Sequence, residues 1–279
     1  DVEKFRAFTG NGFQIGTHDD VSEAGQTYVA WNWKAGGSGA SNTNGSINTT
    51  KTSANVDAGF SIMTYTGTNS TRTIGHGLSK PPEFWVTKPR TDVSDNQWFA
   101  CHKGFATDYY TDFIHFDNTA PKQDSGARWG DTAPTDSVIT IGPASTNVAN
   151  GEYVCYAWHS VEGHSKVGAY TGNGNAEGTF VHTGFRPAYM LVKRTDATEN
   201  WWAIDTTRDI INPAYHLLYP DGTNAEYSGG GPGDSDDSPY DITSNGFKNR
   251  TNNANWNADG GNYIFLAIAE TPFKYSNAR

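Results

Sequence analysis

Apolar residues in this chain come in short runs that alternate with polar ones at period two, and stretches rich in Gly, Ser, Thr, Asn and Asp separate the runs. Period two is the spacing of a β-strand with one buried face. Phe13 and Ile15 fit it, as do Phe60, Ile62 and Thr64 in GFSIMTYTG. Tyr28 to Trp33 is read as a strand with Tyr28, Ala30 and Asn32 on one face and Val29, Trp31 and Trp33 on the other. Phe84 and Val86 oppose Trp85, so that strand is apolar on both faces and central in its sheet. Two prolines just before it, in SKPPEF, cost no ladder hydrogen bond. Helical periodicity is nearly absent: DIINPAYHLLYP (209–220) has room for one turn, which Pro213 and Pro220 keep short.

The runs repeat. GQTYVAWNW (25–33), GEYVCYAWH (151–159) and GNYIFLAIA (261–269) are versions of one strand, and MTYTGTN (63–69) and GAYTGNG (168–174) of another. The spacing is 105 residues from Tyr65 to Tyr170 and 110 from Tyr153 to Tyr263, the size of an ordinary domain rather than of a solenoid repeat. The predicted organisation is a partial module at 1–40, a linker or Thr-rich edge strand at 41–57, and two whole modules at 58–163 and 164–279. The first residue is not Met, and residues 1–40 read as the second half of an upstream repeat, so the chain is taken as processed or cut from something longer. In the stretch 151–174, VEGHSK is read as the joint between the whole modules. Val154, Tyr156 and Trp158 are expected to face a module core, with Tyr153, Cys155 and Ala157 on the other side.

Composition narrows the function classes. Aromatics make up 13% of the chain, so a core is affordable although apolar residues total only 35%. With 20 Lys and Arg against 30 Asp and Glu, the chain lacks the basic surface that a phosphate-backbone binder needs. No apolar run approaches the roughly 20 residues of a membrane-spanning helix. Cys101 and Cys155 sit in apolar strand contexts and are read as buried thiols, with a pairing between them left open.

The ordered set YVAWNWKAGG, AGFSIMTYTG, TIGHGLSKPPEFWVTK, SVEGHSKVGAYTGNGNAEGTFVHTGFRPAYMLVKRTDA and AIAETPFKYSNAR resembles repeat modules of phage tail-fibre proteins, common in phages of marine bacteria including cyanobacteria. The resemblance covers nearly the whole chain and is weakest in the loops at 106–135 and 224–240. It implies tandem all-β, jelly-roll-like sandwich modules with long polar loops, a homotrimer, other virion tail proteins as partners, and a host surface polysaccharide or receptor as target. The implied location is the virion, and no catalytic residues carry over.

Candidate sites follow from residue type. Most tryptophans lie on strand-like segments and are assigned to cores. Trp129 (GARWGD) and Trp256 (NANWNA) sit in polar loops and are expected to be exposed, where an indole face can stack on a sugar ring while Asp131 and Asn253 bond its hydroxyls. Asp234, Asp236 and Asp237 in GDSDDSPYD are candidate calcium ligands, although the glycine at position six and the glutamate at position twelve of an EF-hand loop are missing. Otherwise no cofactor is expected. HSVEGH (159–164) lacks the one-face spacing of a zinc protease. Asp108, Asp112, Asp117, Glu152, Glu162, Asp205 and Asp209 offer many carboxylate pairs and select none. The chain is therefore read as a non-enzymatic adhesive segment of a fibre. A purely structural virion protein, a capsule-degrading glycosidase and a secreted bacterial adhesin remain the alternatives.

Overall fold

A computed structural model describes residues 3–228 and 239–271. Contacts divide the chain into two compact units, Asp1–Trp33 and Lys34–Arg279. The first is a hairpin of β1 (Phe5–Thr9) and β2 (Gly12–Ile15), followed by one helical turn, α1 (Asp19–Ser22). His18 caps that turn, its Nδ1 accepting from the Asp20 N–H at 3.2 Å. The strand expected at Tyr28–Trp33 is not formed. A strand needs neighbours to take its backbone groups, and the hairpin does not extend to a third strand. The Tyr28 hydroxyl instead closes on the helical turn, accepting from the Glu23 N–H and donating to the Asp19 carbonyl, both at 2.9 Å.

The second unit holds two sandwiches. In the first are β3 (Lys51–Asn55), β4 (Phe60–Thr66), β5 (Arg72–Gly75), β6 (Phe84–Pro89), β7 (Phe99–His102), β8 (Asp112–His115), β9 (Gln123–Asp124), the turn α2 (Gly126–Trp129), β10 (Val138–Ile141) and β11 (Glu152–Trp158). Seven of its strands form one antiparallel sheet in the order β3-β4-β11-β6-β7-β8-β9, and β5 and β10 pair separately. The Thr-rich stretch before residue 57 thus supplies an edge strand, the second of the two readings open for it. Residues 103–137, polar for most of their length, are likewise built into the module, through β8, β9 and α2.

The second sandwich contains β12 (Ser165–Thr171), β13 (Phe180–His182), β14 (Pro187–Arg194), β15 (Trp201–Asp205), β16 (Tyr240–Thr243), β17 (Gly246–Asn249), α3 (Ala254–Asn257) and β18 (Asn262–Ala269). Its sheets are β12-β18-β14-β15 and β13-β17-β16. The whole is an all-β, antiparallel, sandwich-type fold.

Strand alternation sends each central strand into two cores. In the first module Met63, Tyr65, Trp85, Phe99, Cys101, Phe113, Tyr153, Cys155 and Ala157 pack inward. In the second, Tyr170, Met190, Val192, Trp202, Tyr263 and Phe265 do so. The residues between them on the same strands (Phe84, Val86, Ala100 and Ile114 of one module; Val167, Leu191, Trp201, Ile264 and Leu266 of the other) meet in a third cluster that joins the sheets face to face. This corrects the facing expected for β11: Tyr153, Cys155 and Ala157 line the module core, while Trp158 packs against the inter-module cluster.

Polar contacts finish that interface. Trp201 Nε1 donates to the His115 carbonyl at 2.8 Å. His102 Nε2 lies 3.1 Å from the Phe265 carbonyl and accordingly donates to it, because its Nδ1 accepts from the Gly104 N–H. Buried Lys193 donates to the carbonyls of Thr119 and Glu199.

The repeats share specific contacts. Tyr65 stacks on Tyr153 with centroids 5.1 Å apart, and Tyr170 on Tyr263 at 4.8 Å. Tyr65 and Tyr170 donate to the carbonyls of Thr146 and Trp256, while Tyr153 and Tyr263 accept from the N–H groups of Val148 and Ala258. Beside each pair a fully buried asparagine, Asn147 or Asn257, bonds the loop that follows the first tyrosine.

The small unit echoes the second half of this plan. Its hairpin turn, Thr9 to Phe13, shares T-x-N-G-F and register with Thr243 to Phe247. Three residues after the last helical position, Gly25 and Gly260 take positive φ, 82° and 72°, and Tyr28 and Tyr263 follow at the same distance.

Candidate functional site

The described residues singled out in the sequence do not converge. Trp129 is fully buried; its Nε1 donates to the Asp112 carbonyl at 3.1 Å, and its ring meets Trp85 edge-on at 5.4 Å. Trp256 is 1% exposed and packs 5.1 Å from Trp202 in the other module's core. The expected exposure is thus overturned for both. Each lies in a one-turn helix that rolls its single large apolar side chain inward. A lone indole among polar residues closes the end of a sandwich here. Asp131 is exposed, with φ 46°, and its carboxylate lies beside Gly126. Asn253 caps α3, accepting from the Asn255 N–H at 3.0 Å. Asp234, Asp236 and Asp237 lie outside the described residues. Among the described residues no group of three or more His, Cys, Asp and Glu is placed to hold a metal. Cys101 and Cys155 are both free and buried, and burial pushes the Cys155 thiol up to about 12.

A concavity lies elsewhere. A groove of about 740 Å³ opens between the free edge of β12 and the free edge of β13. Gly168, Tyr170 and Phe265 line its floor, and Thr179, Phe180 and His182 form the β13 wall. Glu83, Lys103 and Gly104 of the first module complete the rim. Gly168 is needed for the floor, since a Cβ there would stand 2.5 Å from the Phe265 ring. Phe180 is 47% exposed, an apolar face turned to solvent.

A polar seam fixes one end of the groove. Lys103 Nζ lies 2.9 Å from Glu83 Oε1, and Glu83 Oε2 accepts from the Ser160 N–H and hydroxyl at 2.8 and 2.5 Å. Burial pushes the Glu83 carboxyl up, but the Ser160 hydroxyl and the Lys103 ammonium outweigh it and leave it below its ordinary value. The Ser160 oxygen in turn accepts from the Val167 N–H at 3.0 Å. At the other end Thr179 Oγ1 donates to the Thr171 carbonyl at 2.8 Å.

This double sandwich with an unfilled edge is the setting for the comparison with known proteins. The family described as a domain of unknown function (DUF7483) matches residues 1–272. The chain belongs to that family. No curated protein and no solved structure matches it. The groove escaped sequence reading because its residues come from three separated segments. The one available signal was the repeat alignment, which sets Phe180 and His182 against Thr73 and Gly75.

Proposed function

We propose that the chain is a structural and adhesive segment of a phage virion tail fibre that presents surface features to a host cell-surface glycan. The observation that carries this reading is the repeat. Two sandwiches of one design share an apolar sheet-to-sheet interface, and the small unit carries the hairpin, helical turn and tyrosine of a further second half. Modules mated through their sheets make a stiff scaffold, and weak contacts repeated over a trimer would add up through effective concentration. The resemblance of the motifs to fibre repeats supplies the virion setting.

One observation favours the purely structural alternative. The two loop tryptophans that would have stacked on sugar rings are core residues, which leaves the loops fewer aromatic faces. An antibody against the chain, applied to purified particles of the phage encoding it, tests the virion reading by immunogold microscopy. Label along the tail fibres is expected; label absent from intact particles overturns it. Binding of the intact oligomer to host polysaccharide then separates the adhesive from the purely structural form.

A further inference from the structure

The geometry points to the β12 edge as a strand-accepting site for a Ser/Thr-rich extended segment of a partner polypeptide. The argument starts in the first module, where the equivalent groove is filled. There β3 pairs antiparallel with β4 over Lys51–Asn55, extending the sheet by one edge strand. The residues before it span the gap to β5: the Ile47 N–H donates to the Thr73 carbonyl at 3.2 Å, and the Ser46 and Thr73 N–H groups bond each other's hydroxyls at 2.8 Å. Residues 46–55 thus stitch β4 to β5 and close the sandwich.

In the second module β12 takes the place of β4, and β13 that of β5. Gly77 and Gly184 mark the register, since both have positive φ and both follow this strand by two residues. At Gly77 an added Cβ would touch the Thr52 and Ala54 side chains at 3.2 Å; at Gly184 the nearest atom is 3.8 Å away and belongs to His182, the last residue of β13. The six-residue turn His159–His164 that leads into β12 carries no strand of its own: Val161 bridges Ser165 at the start of the outer edge, and among the described residues no strand pairs with that edge.

The edge is chemically ready. The N–H groups of Ser165 and Val167 point outward, to Val161 and to Ser160 Oγ. By the alternation of an antiparallel strand, the N–H and C=O of Ala169 point the same way, into the groove between the two fixed ends. An exposed edge with unpaired backbone groups is the standard template for strand addition. A second copy of this chain is the weaker occupant, because its own 46–55 segment is engaged with its own β4.

The test uses the whole chain and a synthetic peptide of residues 46–55, SINTTKTSAN. Saturable binding is expected, with slowed hydrogen exchange at the Ala169 amide. Ala169→Pro should weaken it by about tenfold or more. Proline is tolerated at an edge whose N–H faces outward, and an unchanged melting temperature checks the fold. Phe180→Asp, on the opposite wall, should weaken binding without touching β12 and serves if the proline variant misfolds. The same peptide carrying Thr50→Pro, which removes the N–H that bonds the Thr64 carbonyl in the first module, should not bind. The proposal fails if millimolar peptide shows no saturation, or if both protein variants bind as the wild type does. It also fails if an oligosaccharide rather than the peptide protects Ala169, or if the chain self-associates through this edge.

Discussion

The two buried asparagines act as three-dimensional staples. Asn147 accepts from the Thr68 N–H at 2.8 Å and donates to the Ser70 carbonyl at 2.5 Å. Asn257 accepts from Asn173 N–H at 3.0 Å and donates to the carbonyls of Asn175 and Thr251, both at 2.8 Å. Alanine at either site strands buried backbone groups, at about 1–3 kcal/mol each. Asn257→Ala is expected to lose roughly 3 kcal/mol or more in urea unfolding; a loss below about 1 kcal/mol contradicts the staple. The histidines set the acid limit. Burial pulls His76 and His102 down to about 4 from 6.5, outweighing the carbonyl each one bonds. Between those values the unfolded chain binds more protons than the folded one, so stability falls as pH drops from 6.5 towards 4. The loss is on the order of 3 kcal/mol per histidine. Urea midpoints across this window, compared between wild type and His102→Gln, should show a flatter slope for the variant.

At the scale of elements, much was legible and its failures are instructive. Alternation located Phe60–Thr66, Phe84–Pro89 and Glu152–Trp158, and the doubly apolar β6 was correctly read as central. Period two cannot say which of two apolar faces is the module's own core, so Tyr153 and Trp158 were assigned the wrong way round. Trp129 and Trp256 misled for a related reason: a single turn of helix is too short to show periodicity, and it hid the inward side. The N-x-x-x-G-x-Y spacing at Asn147–Tyr153 and Asn257–Tyr263 was present in the sequence and marks the staples. The joint VEGHSK (161–166) passes the chain between two modules whose sheets also pack against each other. One glycine inserted after Glu162 should therefore lower the melting temperature slightly and leave a single calorimetric transition. Two separated transitions would instead assign the coupling of the modules to the joint.

For the larger unit as a whole, the shared interior is the controlling feature. Trp201→Ala removes an indole that is buried between sheets and bonded across them; a loss of about 3–5 kcal/mol is expected from denaturant unfolding. Leu266→Asp should go further and split one cooperative transition into two. Lys193 gives the interface an alkaline signature. Burial draws its ammonium down to about 8 from 10.5, against the pull of Asp221 and Glu199. The unfolded state then holds the extra proton between those values, so stability rises with pH across that window. Comparison with Lys193→Met, which has no such proton, should isolate a gain of roughly 3 kcal/mol.

The mating of sheets also bears on inheritance. The Tyr pairs and the asparagine staples serve each sandwich alone, so a copied sandwich brings them along intact. Leu191, Trp201, Ile264 and Leu266 serve only the neighbour they face. A gene exchange with its seam between residues 163 and 164 would deliver a sandwich whose outer sheet fits no stranger, whereas an exchange that carries both sandwiches together keeps the mated sheets. Chimeras that exchange one sandwich should therefore give less soluble protein than chimeras that exchange the pair, which behaves as the smallest heritable part.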